Sequence, residues 1–155
     1  VFPEAVRCDN PAVNAFIANL IEAFRREDYQ GYRLMVTRHI EPIGRGDFLK
    51  AWQAINRVEV VSIRQVVITE KMRRASDNPL LGAVAEGPVY LVEGIVNIKP
   101  EARKDKDPTQ YPALFVFRES DQWVMAPAPK SLVAALTAAQ AATQPIPPAT
   151  SQSTP

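Results

Sequence analysis

The chain has 155 residues, 46% of them apolar, with 18 basic and 17 acidic side chains and a formal net charge of +1. That length and apolar fraction supply one core of ordinary size and too little for a second. The charge balance excludes a global electrostatic drive toward nucleic acid or an anionic membrane. The single cysteine, Cys8, excludes an internal disulfide and a metal site built on paired thiols.

No apolar run reaches the ~18 to 20 residues that a membrane span needs. The start at Val1 without methionine is read as a form from which an upstream segment has been removed, an export signal or an anchor being the candidates, and the compartment stays open between an exported or periplasmic location and the reducing cytosol that a lone cysteine also fits.

Residues 1–8 read as an N-terminal extension, and the folded domain is placed at 9–127. Asp9 or Asn10 ahead of Pro11 is a helix start, since a short polar side chain caps free amides and proline suits the first helical turn. The helix runs from about 11 to about 26, with Val13, Phe16, Ile17, Leu20, Ile21 and Phe24 recurring as one buried stripe. A short second helix follows Asp28 with Tyr32, Met35 and Val36 inward, weakened by Gly31. After the breakers Pro42, Gly44 and Gly46, Asp47 is expected to cap a third helix from Phe48 to about Asn56.

From Val58 the period becomes that of a strand, and β-branched residues carry it to Thr69. Lys71 to Pro79 reads as a charged turn or loop, and Pro100 to Tyr111 as a charged connection whose basic cluster Arg103, Lys104 and Lys106 is partly cancelled by Asp105 and Asp107. A second long strand spans Pro88 to Ile98, where Gly94 marks a bulge or bend. Residues 114–118 and 122–126 flank Glu119-Ser120-Asp121 as a hairpin. Helices followed by strands, without βαβ alternation, define an α+β class with an antiparallel sheet. An alanine-rich helical segment occupies 128–142, and the Pro/Thr/Ser-rich stretch 143–155 reads as a disordered tail.

Three patterns in this order resemble the NTF2-like superfamily: Phe24-Arg25-Arg26-Glu27-Asp28-Tyr29 at the end of the first helix, Gly46-Asp47-Phe48-Leu49-Lys50-Ala51-Trp52 before the first long strand, and Phe115 through Met125 as a closing hairpin. The resemblance covers roughly residues 11 to 127. It implies N-terminal helices packed on a bent antiparallel sheet, a cone with a pocket, of the shape shared by SnoaL-like and ketosteroid-isomerase-like domains. It carries no catalytic residue over, because the isomerase branch uses a helix-borne tyrosine and the first helix here has none. Superfamily members include enzymes, transport adaptors and assembly domains, so the fold leaves function open.

Polar residues that interrupt apolar rows are the candidates for chemistry. Glu93 shares a strand face with Val89, Leu91, Ile95 and Asn97. Facing a cavity, it would gain basicity by desolvation and serve as an acid or base; facing water, it is an ordinary outer residue. Arg64 lies on a face with Ser62 and Val66 and would pair with Glu93 in the right register, or grip an anionic group.

His39, the one histidine, sits between the second and third helices with no metal-ligand spacing around it, and its default is a surface or supporting residue. Tyr32, Trp52 and Trp123 supply aromatic surface for a pocket or core. No hydroxyl residue, Ser62 and Ser76 included, has a nucleophile context, and Gly82, Gly87 and Gly94 make no phosphate loop.

The expectation is a non-catalytic ligand-binding or protein-interaction domain without cofactor, metal or nucleic acid. Its pocket would involve Tyr32, His39, Trp52, Arg64, Glu93 and Trp123 and take a small apolar or anionic ligand, with a homodimer paired through the sheet by Tyr90, Val92, Val96 and Ile98. The alternative is an isomerase or dehydratase with Glu93 as general base, His39 or Tyr32 as proton partner and Arg64 orienting an anion.

Overall fold

The computed structural model describes residues 1–75, 88–104 and 107–143. Ser76 to Pro79, Gly82, Gly87, Asp105, Lys106 and the tail from residue 144 lie outside the described residues. The architecture is α+β, with helices packed on an antiparallel five-stranded sheet.

Helix α1 (Pro11–Arg25) begins where Asn10 Oδ1 accepts from the Ala12 and Val13 amides, 3.0 and 3.4 Å away. It ends in a Schellman turn: the Asp28 amide donates to the Ala23 carbonyl at 2.8 Å and the Glu27 amide to that of Phe24, with Glu27 in the left-handed region at φ 55°. Asp28 then caps α2 (Tyr29–Met35) by accepting from the Gly31 amide at 2.9 Å. Helix α3 (Arg45–Ala54) starts three residues before the expected Phe48. Gly44 is its cap residue, and Asp47 lies inside the first turn, where an acid favours the amide-rich helix end.

Strands β1 (Ile55–Val66) and β2 (Val89–Ile98) pair antiparallel, and β4 (Ala113–Glu119) with β5 (Gln122–Pro127) forms the hairpin. The order is β1-β2-β4-β5, and a two-residue strand β3 (Thr109–Gln110) adds to β2 at Val96 and Asn97 within the stretch expected to be a charged connection. Ser120 and Asp121 both take positive φ, 48° and 65°, which lets two residues reverse the twisted strands. Part of the charged segment after β1 is helical, as α4 (Glu70–Ala75), with Thr69 Oγ1 accepting from the Met72 amide at 3.2 Å.

The bulge associated with Gly94 lies in the opposite strand. Val60 partners Gly94 while Ser62 partners Glu93, so Val61 is the extra residue. The insertion inverts the side-chain parity of β1. Val58 and Val60 face α1 to α3, but beyond Val61 it is Ile63 that joins that core, while Val66 packs in the other. Gly94 is needed here because a Cβ would lie 3.0 Å from the Glu59 carbonyl oxygen.

Two apolar clusters cover the two sheet faces. Phe16, Ile17, Leu20, Tyr32 and Phe48 from the first three helices close on Val60, Tyr90, Val92, Val116 and Met125. On the other face, Leu132 and Leu136 of α5 (Lys130–Thr143) close on Leu91, Phe115, Phe117 and Val124. The alanine-rich segment is therefore docked on the sheet.

The row expected to pair two copies is corrected: Tyr90, Val92 and Ile98 are buried within the chain and Val96 lines an internal cavity. The extension, residues 1–8, packs against the domain. The Val1 carbonyl accepts from the Val60 amide at 3.0 Å, and Phe2, Val6 and Cys8 pack on the helix-side cluster. Among the described residues no helix is long and apolar enough to cross a membrane.

Candidate functional site

The first helix presents Ile17, Leu20, Ile21 and Phe24 at one-turn spacings, and the sheet does not reach all of that stripe. Between them lies a cavity of about 310 Å³. Tyr32 and Trp52 close it from α2 and α3, and its sheet wall includes Val58, Val60, Val92, Val96, Leu114 and Met125. Phe24 organises the aromatic end, stacked on Phe48 at 4.7 Å and tilted against Tyr32 and Trp52 at 5.4 and 5.9 Å. Pro112 and Pro127, both exposed, belong to the same wall and mark the side that meets solvent. Burial pushes the Tyr32 phenol above its usual pKa, against an opposing hydrogen bond from the Ile43 backbone and with a smaller contribution from Tyr29. Tyr32 is therefore a neutral wall residue.

Glu93 borders the cavity through its strand position, but its carboxylate is directed elsewhere. Val92 belongs to the helix-side cluster and Leu91 to the other, so alternation puts Glu93 on the α5 side. There Glu93 Oε2 accepts from Ser62 Oγ at 2.8 Å and lies 3.8 Å from Arg64 Nη2. Arg64 in turn donates to Gln140 Oε1 at 2.5 Å and Thr137 Oγ1 at 2.8 Å, both on α5, while its Nε is buried without a hydrogen-bond partner. The sequence expected the pair to depend on register, and the register places them diagonally, one alternation apart. With side chains 22% and 33% exposed, Arg64 and Glu93 hold α5 to β1 and β2.

His39 lies apart from both groups. Its Nε2 is 3.5 Å from Glu119 Oε2, and Glu119, only 12% exposed, also accepts from Thr37 Oγ1 at 2.6 Å and the Arg38 amide at 3.2 Å. Thr37 itself is 1% exposed, and its amide donates to the Met125 carbonyl at 3.0 Å. This carboxylate ties the loop after α2 to the hairpin. Trp123 packs edge-on against Tyr90 at 5.9 Å, below the Arg118 guanidinium, outside the cavity wall.

Of the six residues expected at a pocket, Tyr32, Trp52 and Glu93 border the cavity, Arg64 joins Glu93 on the α5 side, and His39 and Trp123 stand elsewhere. Glu119 was missed because it sits beside a tight turn and its partner Thr37 is 82 positions away in the chain. Among the described residues no group of three or more His, Cys, Asp or Glu side chains is placed to hold a metal ion.

Fold and site together define an α+β domain with a helical layer on each sheet face and an apolar cavity between the first three helices and the sheet. No family model, no curated protein and no solved structure matches the chain.

Proposed function

We propose that this is a non-catalytic ligand-binding domain of NTF2-like type, in which the cavity between α1 and the sheet receives a small apolar molecule. The observation that carries the reading is the cavity wall: apolar side chains from three helices and four strands surround it, while the Glu93 carboxylate is drawn to the far face by Ser62 and Arg64. Its volume lies at the lower end of the ~300 to 1,000 Å³ typical of small-molecule sites. The order of helices, long strands and closing hairpin supports the NTF2-like assignment.

An acid-base enzyme needs its groups within reach of one substrate atom. Glu93 turned toward α5, His39 on Glu119 and Tyr32 in the cavity wall do not converge on one, which disfavours the isomerase alternative. The same placement disfavours an anionic ligand gripped by Arg64.

The test is fluorescence titration with 2-naphthylamine, a neutral two-ring probe, on the whole chain and on Leu114→Trp, which fills the cavity from β4. Saturable binding with a blue-shifted emission, lost in the variant while the melting transition is retained, is the expected result. Absence of saturable binding, or equal binding by the filled variant, would overturn the reading.

A further inference from the structure

The cavity has a polar neighbour. Pro112 stands in the wall of the apolar cavity and also in that of an open surface groove, about 580 Å³, formed with Asp107, Gln110, Tyr111 and Lys130. The Gly94 amide donates to the Pro112 carbonyl at 3.0 Å, which fixes this shared residue against β2. Tyr111 is 70% exposed and Gln110 is exposed beside it, so both present hydrogen-bonding groups next to the apolar opening.

We propose that cavity and groove form one site for a neutral amphiphile, whose apolar body enters the cavity while an uncharged hydrogen-bonding head rests past Pro112 on Gln110 and Tyr111. This rests on the cavity being a ligand site and adds the chemistry of its ligand. Size follows from a comparison: an apolar cavity of about 150 Å³ holds benzene, six carbons, so this one accommodates a body of about twelve non-hydrogen atoms. Head-group charge follows from the groove, where among the described residues one acid, Asp107, and one base, Lys130, give no net attraction for either sign. A charged head would lose hydration without a dedicated counter-charge, whereas an amide or hydroxyl exchanges water for Gln110 and Tyr111.

The experiment compares decanamide, hexanamide, decanoate and decylammonium as competitors of 2-naphthylamine, on the whole chain and on the double variant Gln110→Ala/Tyr111→Phe. Decanamide is expected to bind about 100-fold more tightly than hexanamide, as four further buried methylenes require, and more tightly than either charged decyl compound. The double variant is expected to weaken decanamide about fivefold to tenfold and to leave 2-naphthylamine, which fits within the cavity alone, unchanged. The amphiphile assignment falls if the double variant binds decanamide as well as the parent, or if a charged head binds best, even where 2-naphthylamine still binds. Failure of 2-naphthylamine itself removes the cavity reading along with it.

Discussion

Ser62 and Glu93 are register partners across β1 and β2, and the Ser62 hydroxyl donates to Glu93 Oε2 at 2.8 Å. That bond fixes the carboxylate on the α5 face, beneath the guanidinium that reaches Thr137 and Gln140. A polar residue in the middle of the sheet thus becomes a fastening for the last helix, and the cavity behind it stays apolar.

Arg64→Met should loosen α5 without touching the cavity. Two hydrogen bonds to a charged donor disappear, and partial exposure holds the cost to about 1 kcal/mol. Hydrogen exchange should accelerate across α5 while β2 remains protected. Unchanged exchange in α5 would show that Leu132 and Leu136 hold the helix by themselves.

Deleting Val61 should be far less damaging than deleting Ile63. Val60 already faces Gly94 and Ser62 faces Glu93, so loss of the unpaired residue leaves the same pairs in a continuous ladder, with Ile63 toward the first three helices and Arg64 toward α5. Loss of Ile63 instead puts Arg64 opposite Val92 and turns it toward the apolar cavity, at a cost above about 3 kcal/mol, against about 1 kcal/mol or less for the exposed Val61. Urea unfolding of the two variants makes the comparison, and equal midpoints would refute it.

Thr37→Val keeps the shape of a fully buried side chain and removes its hydroxyl. Glu119 then loses its shortest hydrogen bond while remaining largely enclosed, at a cost of about 1 to 3 kcal/mol. Thr37→Ser, which restores the donor, should lie much closer to the parent in thermal unfolding. If valine lies closer to the parent than serine does, the methyl group rather than the hydroxyl is what matters at this position.

Glu22 should titrate unusually low. Hydrogen bonds from Arg25, then Arg26, favour its charged form and outweigh partial desolvation, lowering its pKa from 4.5 to about 2. Because the folded value is the depressed one, the associated stabilisation is present above about pH 4.5 and fades as pH falls toward 2. A carboxyl chemical-shift titration should place the midpoint near 2 and move it upward in Arg25→Ala. A midpoint above 4 in the parent would exclude the arrangement.

Much of the fold was legible in local pattern. The apolar stripe from Val13 to Phe24, the Asn10-Pro11 cap and the β-branched run from Val58 carry their own periodicities, so their elements follow from neighbouring residues alone. Elements fixed by distant partners were not legible: β3 exists because Thr109 and Gln110 lie beside β2, and α5 is docked because Leu132 and Leu136 find the sheet's second face. The candidate site was half visible. Tyr32 and Trp52 announce apolar surface, but the parity inversion at Val61 leaves no mark in the sequence, and alternation by itself cannot tell which face Glu93 joins.

The position of β2 sets a timetable. It is second among the strands in chain order yet lies between β1 and β4, so the helices α1 to α3 emerge during synthesis before the centre of their platform exists. Val92, which they cover, follows the end of β1 by more than twenty residues, and the second edge of β2 waits until Ala113 to Phe117 arrive. A ribosome-bound chain ending before β2 must therefore carry the Val13 to Phe24 stripe uncovered. Completion of the hairpin finishes the platform for α1 to α3, and α5, which follows it in the chain, closes the other face only afterwards.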